Sequence, residues 1–132
     1  MKKTNLFLVS LVALVTLSIG FSACGGGGSG SAGTYVCYNE SRDKITYELY
    51  PNKKAKITMD VTPRGGALIV WEGRWFVNHK GFTEIKTVYS TVDGKASNIV
   101  FSAPIVLSEG YVYDNSDAAD FKRGGYKLTK IK

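Results

Sequence analysis

The chain has 132 residues with seventeen lysines and arginines against eleven aspartates and glutamates, one histidine and two cysteines. That length allows one domain. With one histidine and two cysteines, the ligand spacing of a structural zinc site is absent, and short lysine clusters without a concentrated basic patch argue against a nucleic-acid binder.

The opening differs from the rest. Lys2 and Lys3 precede an uncharged stretch, Leu6 to Ile19, and small residues follow, the layout of a secretory signal. As a helix those fourteen residues rise about 21 Å, short of the roughly 30 Å hydrocarbon core. Extended to Ala23 the stretch reaches eighteen residues, so an uncleaved anchor is the alternative. Phe21-Ser22-Ala23-Cys24 resembles the lipobox of bacterial lipoproteins, with Phe21 where a leucine or smaller aliphatic residue is usual. The resemblance implies cleavage before Cys24 and acylation of its sulfur. Several acyl chains hold a protein stably at a bilayer, where one would not. Gly25 through Gly33 is glycine and serine apart from Ala32, a tether composition. The expected organisation is therefore a signal peptide at 1–23, a lipidated cysteine and tether at 24–33, and a folded domain at 34–132. Gly25 stands where an aspartate would imply inner-membrane retention, so the resemblance implies an outer-membrane anchor facing the periplasm.

With the leader removed, fifteen basic residues face eleven acidic ones, a modest positive balance that suits anionic head groups or an acidic envelope polymer. Lys53-Lys54 with Lys56, and Lys122-Arg123, read as solvated turns and strand faces. Cys37 is then the remaining thiol and has no internal partner. Within Thr34-Tyr35-Val36-Cys37-Tyr38 it reads as a small apolar strand residue, the alternative being an intermolecular or reactive role.

From Thr34 onward, strands alternate with turns. Ile45, Tyr47 and Leu49 alternate with Lys44, Thr46 and Glu48, then Pro51-Asn52-Lys53 breaks the chain. Ala55, Ile57, Met59 and Val61 alternate with polar residues, and the pair predicts a β-hairpin with one core face. After Pro63-Arg64-Gly65-Gly66, Ala67 to Trp71 is almost wholly apolar. Gly73 predicts a bulge, bend or short hairpin before Arg74-Trp75-Phe76-Val77. Asn78-His79-Lys80-Gly81 turns the chain, and Phe82 to Val92 predicts another strand. Asp93-Gly94 is the strongest hairpin signal, since both positions must accept positive φ. Ile99-Val100-Phe101 and Ile105-Val106-Leu107 continue the strand pattern, with Pro104 placing a kink or edge between them. Tyr111-Val112-Tyr113 follows. Asn115 or Ser116 caps a short helical turn through Ala118, Ala119 and Phe121, ending at Gly124. Tyr126 to Ile131 is the final strand.

Seven to nine short strands without helical periodicity predict an all-β domain. A small antiparallel meander β-barrel is favoured because consecutive hairpins dominate and closure removes exposed edges. A β-sandwich is the alternative.

Gly33-Thr34-Tyr35, the central Gly73-Arg74-Trp75-Phe76-Val77-Asn78-His79-Lys80-Gly81 and the closing Gly125-Tyr126-Lys127-Leu128 resemble the small lipocalin-like lipoproteins of bacteria. That family implies a calyx whose members bind, sense or scaffold, and rarely catalyse. Envelope-stress members carry a Cys-x-x-Cys near the first strand. Only Cys37 stands there, so copper or redox sensing is not carried over. Tyr35-Val36-Cys37 is also similar to the early Tyr-x-Cys of membrane-bound lysozyme inhibitors, whose Ser-Gly-x-x-Tyr loop and partner cysteines are missing here.

Catalytic chemistry finds little support. His79 sits in a turn, and Cys37 with His79 lacks an orienting carboxylate. Asp114, Asp117 and Asp120 read as a capped, solvated turn in preference to a calcium site. The aromatic content is the functional hint, because tryptophan and tyrosine favour surfaces that are apolar on one side and wet on the other. Trp71, Trp75 and Tyr47 are the candidate ligand-binding residues, with core filling as the competing role for both tryptophans. The expectation is a non-enzymatic, cofactor-free binding module for a small amphipathic or hydrophobic ligand or an envelope protein. The alternative is a structural or assembly subunit, or a lysozyme-inhibitor-like protein.

Overall fold

The computed structural model describes residues 32–132, and the expected signal peptide, Cys24 and the tether as far as residue 31 lie outside the described residues. The strands are β1 (Gly33–Tyr38), β2 (Lys44–Leu49), β3 (Lys54–Asp60), β4 (Leu68–Val77), β5 (Thr83–Val92), β6 (Lys95–Ser97), β7 (Ile105–Ser108), β8 (Tyr111–Tyr113), β9 (Tyr126–Lys127) and β10 (Thr129–Lys130). A 3-10 turn covers Thr62–Arg64 and a short helix, α1, covers Ser116–Asp120.

Strand alternation becomes packing through register. In the β2–β3 hairpin, Ile45 lies opposite Met59, Tyr47 opposite Ile57 and Leu49 opposite Ala55, so one face of both strands is apolar. The turn between them closes because Lys53 takes a positive φ of 72° and Asn52 Oδ1 accepts the Lys54 N–H. The β5–β6 turn uses Asp93 and Gly94 at φ 51° and 81°, both left-handed as a tight hairpin requires.

All ten strands form one antiparallel sheet in the order β9-β8-β7-β5-β4-β3-β2-β1-β10, with β6 on the upper part of β5. Tyr126 of β9 pairs with Val112 of β8, while Thr129 of β10 pairs with Val36 of β1, and only Leu128 separates β9 from β10. The two edges of the meander therefore meet on a single segment. The result is a nearly closed barrel, and the sandwich alternative falls because there is no second sheet among the described residues.

One local expectation is sharpened and two are revised. Gly73 marks a bulge, but the extra residue is on the partner strand: Glu72 pairs with Tyr89 and Gly73 with Thr87, leaving Val88 unmatched and 63% exposed. Inward parity on β5 thereby moves from Thr83 and Ile85 to Ser90. Ile99-Val100-Phe101 forms no strand, since β6 already occupies the edge of β5 at Ser90 to Val92, and the segment 98–104 crosses to β7 instead. The final strand is divided at Leu128, whose N–H goes to the Gly110 carbonyl (2.7 Å).

Inside the barrel, Tyr35, Leu49, Ile57, Trp71, Trp75, Ile85 and Leu107 form the main core. A second cluster, Val106, Tyr113 and Ala119, lies under α1 on the outer face of β7 and β8. Asn115 caps α1 with its side-chain oxygen on the Ala118 N–H (2.8 Å). The helix stops at Asp120, and Phe121 beyond it is exposed. The lysine clusters also read differently in three dimensions. Register brings Lys54, Arg74 and Lys86 into one cross-strand row, a concentrated basic patch that spacing along the chain conceals.

Candidate functional site

Strand direction sorts the interior into two ends. Tyr38, Lys44, Asp60 and Leu68 mark one, the Asp60 end, and Gly33, Leu49 and Lys54 mark the other, the Gly33 end.

At the Asp60 end an apolar cavity of about 170 Å³ is lined by Tyr47, Met59, Trp71, Phe101, Ile105 and Val112, with Asn39, Asp114 and Tyr126 as its polar members. Trp71 holds the wall in place from inside. Its indole N–H donates to the Ile99 carbonyl at 2.9 Å, and its ring lies 4.9 Å from that of Phe101 at a 36° tilt. These contacts fold the 98–104 segment across the mouth, where Phe101 stays partly exposed. Offset aromatic packing of this kind is favourable beyond the area it buries.

Tyr47 reaches into the cavity from β2. Burial pushes its phenol well above the ordinary tyrosine range, and the nearby Cys37, Asp114 and Tyr126 push the same way. It therefore stays neutral, able both to donate and to accept. Cys37 approaches its hydroxyl at 3.9 Å, and burial raises the thiol against the lowering pull of that contact. A buried, protonated thiol is a weak nucleophile.

Beside the mouth, Asp43 is 4% exposed and takes a bidentate pair from Arg64, Nε to Oδ1 at 2.7 Å and Nη2 to Oδ2 at 2.8 Å. The Arg64 guanidinium holds the carboxyl at about 2, against the opposing effect of burial and with help from Asn39. A carboxylate held below its unfolded pKa of about 3.9 stabilises the fold above that pH and loses the contribution as pH falls toward 2. Asp43→Asn is expected to lower stability at neutral pH and to flatten the acid limb between about pH 4 and pH 2. Urea unfolding at stepped pH measures both effects, and parallel acid limbs in the two proteins would remove the pair as their cause.

Of the sequence-derived candidates, Tyr47 and Trp71 share this cavity and Trp75 does not. Trp75 lies toward the Gly33 end, its indole N–H on the Tyr50 carbonyl (2.8 Å) and Lys53 Nζ 3.9 Å from its ring centre. His79 is exposed in the β4–β5 turn while Cys37 is buried within the barrel, so the two are not brought together. The acidic run is dispersed too: Asp114 borders the cavity, Asp120 pairs with Lys80, and no cluster that could hold a metal ion occurs among the described residues. Nor is any described helix long and apolar enough to cross a membrane. Met59, Phe101, Asn39 and Asp114 were not legible as site residues. Met59 and Phe101 carried a strand signal only, and Phe101 reaches the mouth because the 98–104 segment forms a loop instead.

Comparison with known proteins gives no match to a family model, a curated protein or a solved structure.

Proposed function

We propose that the chain is a membrane-anchored envelope lipoprotein whose barrel is a binding module, taking the apolar end of a small amphipathic ligand into the cavity at the Asp60 end. The observation that carries this reading is the cavity itself, with aromatic and aliphatic walls and a few convergent polar groups, the usual composition of a ligand site. Its 170 Å³ bounds the ligand. A dry protein cavity of about 150 Å³ admits benzene, so one ring or a short aliphatic end fits and a whole lipid does not. Asp114 at the rim favours a polar end that donates hydrogen bonds or carries positive charge. The lipobox-like Phe21-Ser22-Ala23-Cys24 supports acylation at Cys24 and an outer-membrane position facing the periplasm, and the lipocalin-like sequence features support binding over catalysis.

The test is titration with primary alkylamines and benzylamine, followed through the emission of Trp71. Affinity is expected to rise with chain length and then stop once the cavity is filled. Phe101→Ala is expected to weaken binding roughly tenfold, about 1.4 kcal/mol. Unchanged emission across the whole series, or equal affinity in the variant, would sink the reading.

A further inference from the structure

Two neighbouring rows of outward side chains on the barrel differ in electrostatic design. In the first, Lys56 stands opposite Glu48 on one side and Glu72 on the other, so the charge alternates. In the next, Lys54 is opposite Arg74 and Arg74 is opposite Lys86, three exposed cations across three adjacent strands. Strands lie about 4.8 Å apart, and like charges directly opposed destabilise a sheet. None of the three makes an ion pair among the described residues. Of the acids two residues away on the same face, Glu72 accepts a hydrogen bond from the Tyr89 hydroxyl, and Glu84, opposite Phe76, is held by the Asn78 side chain at 2.6 Å. Lys53 extends the row from the turn above Trp75. A row of this kind is tolerated where an anionic partner offsets it.

The partner's chemistry follows from what flanks the cations. Phe76 and Val88, 44% and 63% exposed, border the same groove of about 330 Å³ as Arg74 and Lys86. A purely acidic polymer would leave both in water, whereas a bilayer surface takes cations at its phosphates and apolar side chains at the headgroup boundary. Position agrees. The row lies at the Gly33 end, where β1 begins beside Leu49. Cys24 precedes Gly33 by nine residues, a span of at most about 30 Å of chain.

We propose that the Lys54, Arg74 and Lys86 row, with Phe76 and Val88 beside it, seats the barrel against an anionic phospholipid surface. This rests on the membrane attachment proposed above, which brings the Gly33 end within reach of a bilayer. Each cation at such a surface strengthens association roughly fivefold, and salt screens the effect.

The experiment uses the full chain carrying Val88→Trp, reconstituted into vesicles with bromine-labelled acyl chains. Trp71 and Trp75 are 4% and 3% exposed, and because Trp75 borders the same groove the parent chain in the same vesicles supplies the background to be subtracted. With phosphatidylglycerol mixed into phosphatidylcholine, the new tryptophan is expected to be quenched. Quenching is expected to vanish in phosphatidylcholine alone, at about 1 M salt, where the screening length is about 3 Å, and in Lys54→Gln/Arg74→Gln/Lys86→Gln. Equal quenching in both lipids or in the triple variant overturns the proposal, as does its absence while the chain floats with the vesicles. Flotation with the anionic vesicles alone, with quenching, upholds the face and removes the anchor, and flotation with neither removes both. Emission that responds to polyglutamate and not to vesicles assigns the face to an acidic protein and overturns the membrane proposal.

Discussion

Trp75→Ala is expected to lower the free energy of unfolding by about 3–5 kcal/mol, a large fraction of the roughly 5–15 kcal/mol that holds a domain together. Trp75 is 3% exposed and belongs to the main core, so truncation leaves a cavity that the surrounding strands cannot fill. It also removes the indole N–H from the Tyr50 carbonyl at the β2–β3 turn, which keeps only the Lys53 N–H (2.9 Å). In the same place the Trp75 N–H donates to the Lys53 carbonyl at 2.9 Å, so ring and backbone together fasten that hairpin to β4. Trp75→Phe keeps most of the volume and loses the hydrogen bond, and about 1 kcal/mol is expected. Urea denaturation of the three proteins gives the comparison. A loss below about 1 kcal/mol for the alanine variant would mean that the ring is not a core element.

Gly73→Ala is expected to cost about 2–3 kcal/mol, a large effect for adding one methyl group. The glycine is not required for a left-handed backbone. It is required because β5 passes so close that an added Cβ would meet the Lys86 carbonyl and lie 2.7 Å from Thr87 Cα, and backbone cannot step aside as a flexible side chain can. Relief demands that β4 and β5 separate at the bulge, which loosens the pairing on either side of Val88. Thermal melts report the loss, and amide exchange at Trp71 to Trp75 and Ile85 to Tyr89 is expected to rise first. A melt indistinguishable from the parent would show that β5 shifts without cost.

The two substitutions act on one strand and inform the site differently. Trp71 and Trp75 share β4 and point inward, yet one borders the cavity at the Asp60 end and the other borders the cationic groove at the Gly33 end. Sequence spacing shows their common parity and nothing of this division. Strand parity assigns a side chain to the inside or the outside of a barrel. Its height along the axis depends on strand tilt and register.

What the chain determined by itself is local. Alternation marked Ile45, Tyr47 and Leu49 as the inward face of β2, because side chains of a strand repeat every two residues. Asp93-Gly94 announced its hairpin because few residue pairs accept two positive φ angles. Asn115 announced a helix start because its side chain satisfies a backbone N–H that a helix leaves free. The tertiary structure decided what depends on partners far along the chain: closure of the sheet through Tyr126 to Lys130, Val88 as the residue without a match, Phe101 over Trp71, and Lys54, Arg74 and Lys86 in one row. Cross-strand neighbours follow from register, and one extra residue in β5 resets every neighbour beyond it.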